Sequence, residues 1–473
     1  MRSLFETDAR LAVRGAWLAL VFAVAACTGE TAAPPPNLLL FVLDTTRADH
    51  LGCYGRTGQT SPAIDALAAQ GVRFDNALAP SSLTPVSAGS VLTGASPFRH
   101  GVRSLFVVGR HRLAEGVTSL AQVLGERGWA TAAFVSARPM GSQYGLDRGF
   151  DEYAEVLEQH ARRNRRLGLA NPYQRRADET AGLALEWLAR HAGAPFFLMV
   201  HFFDAHDPTL IPPRAFLAER VSFALPDDLD RAGNLAGRGG APDLLDAPPA
   251  ERVALYDAEI AYMDQQVARI LAALERRGLL DHTLVAVIGD HGEGLGQHDF
   301  WTHGLLYEEQ LRVPLILRGP GIPRGKVVAA RVRLVDLAPS LAELSGVSVW
   351  PGVSDGRSFA PLLRGVEEER ERTVYAEVHH DAQDFLGRDA QMYALTLDRW
   401  KYIHRPASGR HELYDLAEDP GELENLYRED HPRAQQLLSA LQGLGAITGY
   451  TAPRDEMSPE QLEALRSLGY VGE

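Results

Sequence analysis

The chain has 473 residues, a net charge of −14 and 45% hydrophobic residues. That length leaves room for two or three domains around a large core, and the composition is that of a globular protein. The acidic balance argues against a nucleic-acid partner, which needs basic patches for phosphate; the nearest approach to a basic run, ARRNRR at 161–166, reads as a solvated helix face.

At the N-terminus, Arg2, Arg10 and Arg14 precede the apolar run GAWLALVFAVAA, about 12 residues long. A bilayer-spanning helix needs roughly 20 apolar residues, so this run suits the core of a secretory signal instead. It closes as VAAC, small residues directly before a cysteine, which looks like a bacterial lipoprotein signal with Cys27 as the lipidated residue. An ordinary cleaved signal is the competing reading. TGETAAPPP at 28–36 follows as a Pro-rich tether. The expected setting is the bacterial cell envelope, with the protein facing the periplasm and held to the membrane by lipid on Cys27. Cys53 is then the remaining thiol, so no internal disulfide forms.

Three apolar runs, NLLLFVLD (37–44), FFLMVHFFD (196–204) and TLVAVIGD (283–290), each end at an aspartate. Runs this apolar suit strands buried on both faces, as in a parallel sheet. Between them, SPAIDALAAQG (61–71) reads as a helix with a serine cap and a glycine stop. ADETAGLALEWLARHAG (177–193) and ERVALYDAEIAYMDQQVARILAALERRG (251–278) carry the apolar spacing of helices. Strands alternating with helices make an α/β fold, whose ligands bind beyond the carboxyl ends of the strands. Asp44, Asp204 and Asp290 should converge there. Residues 222–249, rich in Gly, Pro and Asp, read as a surface loop. After about 350, RTVYAEVHH, YALTLDRWKYIH and HELYDL predict a smaller antiparallel subdomain. The expected division is signal 1–27, tether 28–36, catalytic domain 37–347, C-terminal subdomain 348–450 and tail helix 451–473.

GDHGEGLGQHDFWTHG (289–304) sets Asp290 and His291 at a strand end, with His303 across a glycine-rich loop. FFDAHDP (202–208) adds Asp204 and His206. With Asp44, these six side chains form a donor set for one or two divalent cations. Two cations about 3.5–4 Å apart can bind the attacking and leaving oxygens of a displacement at phosphorus or sulfur. Each residue alone has a plainer reading, since an Asp after a strand is often a turn or a helix cap. Their convergence on one sheet edge outweighs it.

NLLLFVLDTTRADHLGCYG, SAGSVLTGASPFRHGV, DHGEGLGQH…HGLLYEEQLRVPLILRGPG and ELYDLAEDPGELENL resemble the sulfatase family of the alkaline phosphatase superfamily, in the family's order from 37 to 430. The resemblance implies an alkaline phosphatase-like mixed sheet sandwiched between helices, with a smaller C-terminal antiparallel-sheet subdomain. It also implies hydrolysis of a sulfate or phosphate ester on a small molecule, lipid or glycan.

The resemblance makes SSLTPVSAGSVLTG (81–94) the nucleophile segment. Where sulfatases carry the Cys or Ser that becomes formylglycine, this chain has Thr84, and Ala88 stands at their Arg position. Oxidised threonine would be a ketone, not the family's aldehyde. Related branches, the nucleotide pyrophosphatase-like phosphodiesterases and lipid-head-group phosphotransferases, use a threonine here that coordinates the metal and attacks phosphorus. The competing role for Thr84 is a helix N-cap before Pro85, contributing about 1 kcal/mol. The two are compatible, because a cap sits at the positive end of a helix. Ser87 and Ser90 are expected to face a packing partner, while Ser81 and Ser82 are outside candidates for the nucleophile.

Further departures agree. Thr45 replaces the second of two paired aspartates, Ser136 and Arg138 fall near an absent Lys–His pair, and His303 replaces a lysine. One carboxylate lost and one imidazole gained favours Zn2+ or Mn2+ over Ca2+. The expected arrangement has Asp44, Thr84, Asp290 and His291 on one ion. Asp204, His206 and His303 hold a second or contact the substrate, with Thr84, His206 and His303 as the catalytic set. Arg47, His100 and His298 match family positions as supporting residues, Arg47 orienting Asp44. Segments 138–175 and 208–249 are expected to shape the pocket. Three functions stay open: a phosphate-ester or diester hydrolase or transferase using Thr84, a sulfatase working without formylglycine, and a binding lipoprotein whose catalysis has decayed, for which Ala88 and Ser136 speak.

Overall fold

The computed structural model describes residues 34–105, 111–156, 162, 173–191, 193, 195–206, 211–225, 247–368, 371–380 and 391–447. The signal, Cys27, the tail helix and most of ARRNRR and of the 222–249 loop lie outside these residues. Among the described residues no helix is long and apolar enough to cross a membrane.

In chain order the strands are β1 (Asn37–Leu43), β2 (Val72–Phe74), β3 (Ala77–Leu78), β4 (Ala130–Val135), β5 (Glu152–Ala154), β6 (Phe196–Phe202), β7 (Thr283–Gly289), β8 (Arg312–Val313), β9 (Leu315–Arg318), β10 (Lys326–Val328), β11 (Val332–Arg333), β12 (Val374–His379), β13 (Gln391–Leu397), β14 (Trp400–Arg405) and β15 (Arg410–Asp415). Eight of them form one mixed sheet in the order β10-β2-β9-β7-β1-β6-β4-β5. Only β9 runs against its neighbours β2 and β7. The apolar runs make its centre: every residue of β1, β6 and β7 is buried.

Period-two alternation assigns their side chains to opposite faces. Leu39, Phe41 and Leu43 pack with the helices Pro62–Gln70, Ala177–Arg190 and Pro249–Arg276. Leu38, Leu40 and Val42 pack on the other face with the helices Thr84–Thr93 and Leu337–Leu344. The mixed sheet thus lies between helical layers, as the family resemblance implies. Ser61 occupies the expected N-cap position but does not cap: its hydroxyl accepts from Gly52 N and donates to Asp65. The Asp264 carboxylate, from a neighbouring helix, accepts from Ala63 N and Ile64 N instead.

The C-terminal strands form an antiparallel sheet, β12-β13-β14-β15. YALTLDRWKYIH is not one run but β13 and β14, joined by a turn with Asp398 at φ +52°. One face of this sheet, through Val378, Ala394 and Ile403, joins the large core; the other, through Tyr402 and Leu413, carries the helix Pro432–Gly443. From Pro36 onward the chain forms one compact unit.

His100 fixes the Thr84–Thr93 helix from behind. Val102 N donates to its Nδ1 at 3.1 Å, which leaves Nε2–H for Ser90 Oγ at 3.0 Å. Gly89 makes room for the ring, since a Cβ there would lie 2.6 Å from Cε1. Burial pushes the His100 pKa down to about 4. The unfolded chain therefore takes up a proton below the usual histidine range near 6.5 while the folded chain does not, so stability falls as pH drops from there towards 4. The loss is on the order of 3 kcal/mol. In urea unfolding at pH 7 and pH 4.5, His100→Asn should narrow the gap between the two midpoints relative to wild type.

Candidate active site

Sheet register builds the centre. Leu43 pairs with Gly289 across β1 and β7, so the next residues, Asp44 and Asp290, stand abreast at the carboxyl edge. Both continue the alternation of the face that carries the Thr84–Thr93 helix. Gly289 allows the close approach, because a Cβ there would lie 2.5 Å from Thr46 O. Thr45 sits at φ +51°, a strained conformation for a β-branched residue. Its N–H donates to Asp290 Oδ1 at 3.1 Å and its carbonyl accepts from the Tyr256 hydroxyl at 2.7 Å.

Thr84 is the first residue of its helix and Leu83 is the N-cap; neither side chain caps. The cap reading is therefore corrected: with Pro85 at the second helical position, the Thr84 hydroxyl turns away from its own helix. Its Oγ1 lies 3.3 Å from His291 Nε2, and the hydroxyl also faces Asp44, favouring that carboxylate's charged form. Ser87 Oγ donates to Asp290 O at 2.7 Å and Ser90 holds His100, so both face partners as expected. Ser81 and Ser82 are buried without hydrogen bonds.

Hydrogen bonds assign the tautomers. His291 Nδ1 is 2.9 Å from Gly292 O, a pure acceptor, so Nδ1 carries the proton and Nε2 offers its lone pair to the cluster. His201, which lies inside an apolar strand, was not among the expected site residues. Its Nδ1 accepts from Ser136 N at 3.3 Å, and its Nε2–H donates to Asp44 Oδ2 at 2.8 Å. His201 thus does the work assigned above to Arg47. Arg47 forms a fork with Asp49 at 2.9 and 2.7 Å and donates to Glu293 O and Gln297 Oε1, away from Asp44.

Among the described residues, Asp44, Asp290 and His291 form a group whose donor atoms all lie within 4.8 Å of one another. Asp204, His206 and His303 do not converge in that way. Asp204 Oδ1 accepts from Ala177 N at 3.1 Å, at the start of the Ala177–Arg190 helix, and burial pushes its pKa up to about 8. The two imidazoles stay beside the cluster: the His303 ring lies 4.7 Å from both the His206 and the His291 rings. His303 Nδ1 is 3.1 Å from Glu293 Oε2. Burial pushes the His303 pKa down to about 4 and holds His206 well below the usual histidine range. His298 bonds Glu309 and Glu422 O away from the centre. His380, directly after β12, joins the site's rim through Gly304 O at 3.1 Å.

The electrostatics ask for a cation. Asp44 Oδ1 and Asp290 Oδ2 are buried with no hydrogen-bond partner. Burial first, and Asp290 second, hold the Asp44 pKa well above the carboxylate range. Among the described residues no lysine or arginine pairs with Asp44, Thr84, Asp290 or His291. Two unmatched carboxylates beside an imidazole lone pair are the donor chemistry of a divalent ion. Outer partners typically alter metal affinity 10–100-fold. His201→Ala should accordingly weaken metal binding by about that factor, measured by titrating folded, metal-depleted protein with Zn2+; it should also lower thermal stability without metal, since Ser136 N and Asp44 Oδ2 lose a buried partner.

Carboxylates, an imidazole and a hydroxyl gathered at the carboxyl edge of a helix-flanked mixed sheet define an alkaline phosphatase-like hydrolase. The chain belongs to the sulfatase family: the sulfatase description matches residues 36–347, and that of the N-sulphoglucosamine sulphohydrolase C-terminal region matches 296–444. It is 26% identical over 436 residues to a delta 4,5-hexuronate-2-O-sulfatase of Bacteroides thetaiotaomicron, covering 85% of this chain and 86% of that protein. It is 26% identical to an arylsulfatase of Clostridium perfringens, with 84% and 91% covered. A solved structure in complex with D-glucosamine-2-N,6-O-disulfate superposes with a TM-score of 0.72 at 20% identity, covering 89% of this chain and 100% of that one. The phosphonate monoester hydrolase of Agrobacterium radiobacter superposes with a TM-score of 0.67 at 25% identity, covering 87% and 95%.

Proposed function

We propose that this sulfatase-family protein is a metal-dependent hydrolase or transferase of monoanionic phosphorus esters, phosphodiesters or phosphonate monoesters, with Thr84 as covalent nucleophile. The observation that carries the reading is Thr84 Oγ1 at 3.3 Å from His291 Nε2, beside Asp44 and Asp290. A divalent ion held by Asp44, Thr84, Asp290 and His291, Zn2+ or Mn2+ by donor chemistry, supplies positive charge that lowers the hydroxyl's pKa and offsets charge building on the ester. Thr84 Oγ gives up its proton and bonds to phosphorus as the bond to the leaving oxygen breaks, and that proton leaves with the departing oxygen as the alcohol. Water then attacks the threonyl ester and frees Thr84. The water's hydroxyl stays on phosphorus and its proton returns to Thr84 Oγ; His303, tied at Nδ1 to Glu293, and His206 beside it line this side of the group.

Charge selects the substrate. Ala88 stands at the family's Arg position, His303 at a lysine position, and Ser136 and Arg138 near its Lys–His pair, so the site carries less fixed positive charge than the family pattern, which disfavours a dianionic monoester. A sulfate monoester is also a monoanion, and the curated relatives support it as the second reading, with Thr84 working without formylglycine. The test is hydrolysis of aryl sulfates, phosphate monoesters, phosphodiesters and phosphonate monoesters by protein loaded with Zn2+ or Mn2+. Phosphodiester or phosphonate turnover exceeding sulfate turnover is expected. Faster aryl sulfate turnover favours the second reading, and no turnover with metal bound leaves a binding lipoprotein. The VAAC motif supports placement on the periplasmic side of the envelope, anchored through Cys27.

A further inference from the structure

A second cluster of metal-ligating side chains lies on the C-terminal sheet. His404 on β14 and His411 on β15 stand directly opposite in the antiparallel ladder. Their Nδ1 atoms face each other at 3.2 Å, and the rings are near parallel with centroids 4.7 Å apart. The Tyr402 hydroxyl lies 2.5 Å from the same His411 Nδ1. Tyr427 stacks on the His411 ring at 4.8 Å, and Asn425 donates to His411 O at 3.1 Å. The ring is therefore held in place.

Hydrogens serve this trio poorly. A neutral Nδ1 either donates once or accepts once. If Tyr402 donates to His411, that lone pair is already engaged when His404 approaches it. If His411 donates, its single proton is shared between Tyr402 and His404. A cation resolves the conflict by taking both nitrogen lone pairs, the Tyr402 hydroxyl giving up its bond to His411 Nδ1. An ion about 2.0–2.1 Å from each nitrogen, the ordinary Zn–N length, would see a 3.2 Å pair under an angle of about 100–106°, close to tetrahedral. Both histidines are half-buried, which leaves the remaining positions to water.

We propose that His404 and His411 form a second metal site, separate from the Asp44 group, that takes Zn2+, Cu2+ or Ni2+ through two Nδ1 atoms and clips β14 to β15. Imidazole donors suit these ions, and the ladder holds both ligands before the ion arrives, so binding needs no rearrangement of the backbone. The proposal does not depend on which ester is hydrolysed.

The test titrates metal-depleted full-length protein with ZnCl2 and with CuCl2 by calorimetry. Wild type should bind about one equivalent more than His404→Ala, and His411→Ala should match His404→Ala. Ester hydrolysis should be unchanged in His404→Ala. In an Asp290→Ala background, the Cu2+ electron paramagnetic resonance spectrum should show coupling that changes when His404→Ala is added. His404→Asn serves the same comparison if an alanine variant does not fold. Equal stoichiometry in wild type and the His404 variants, or an identical Cu2+ spectrum with and without His404, overturns the site.

Discussion

Thr84→Ala is expected to lower kcat for a monoanionic ester by at least about 10³-fold, the scale on which covalent nucleophiles fail when removed. The hydroxyl sits at the positive end of a helix, turned towards Asp44 and His291, and no neighbouring serine shares its position. Ser81 and Ser82 precede the helix, while Ser87 and Ser90 are committed to Asp290 O and His100. Thr84→Ser should keep measurable turnover because it keeps the oxygen. Metal content, read by elemental analysis, should stay within a few-fold in Thr84→Ala, since Asp44, Asp290 and His291 remain.

Asp290→Asn should separate stability from function. Asp290 is the second-largest reason, after burial, that the Asp44 pKa stands well above the carboxylate range in the metal-free fold. With the folded pKa raised, stability without metal is fully present below the carboxylate range and declines as pH rises through it. Removing the second charge relieves that cost, so the metal-free variant should be more stable at neutral pH by roughly 1–3 kcal/mol. The amide oxygen can still accept from Thr45 N and His291 N, which keeps the turn in place. Thermal unfolding with and without EDTA should show a large difference in wild type and almost none in Asp290→Asn. Its kcat should fall by about 10³-fold or more.

The sequence made Asp44 and Asp290 legible because each directly follows a wholly buried strand. The same reasoning misplaced Asp204, and the cause is the strand's period of two. Along β6, Phe197 and Met199 face the Thr84–Thr93 helix, and His201 follows them onto that face. Phe196, Leu198, Val200 and Phe202 face the other way, and Asp204 follows them to the Ala177–Arg190 helix. A histidine inside FFLMVHFFD was itself a signal, since a buried polar group needs a partner. Arg47 beside Asp44 in sequence suggested a contact that the chain's turn at Thr45 directs elsewhere. His380 was unreadable as a site residue, because only the packing of the C-terminal sheet on the large core brings β12 to Gly304. Local pattern thus gave the central strands and the three residues of the Asp44, Asp290 and His291 group; alternation and inter-sheet packing decided the rest.

The central claim is that the Thr84 oxygen becomes covalently bonded during turnover. Acid quenching of the metal-loaded protein during steady-state turnover of an aryl phosphodiester or phosphonate, followed by peptide mass spectrometry, reads this directly. The account predicts a phosphoryl or phosphonyl adduct on Thr84, absent in Thr84→Ala. Turnover with an adduct on Ser81 or Ser82, or with Thr84→Ala as active as wild type, would contradict it.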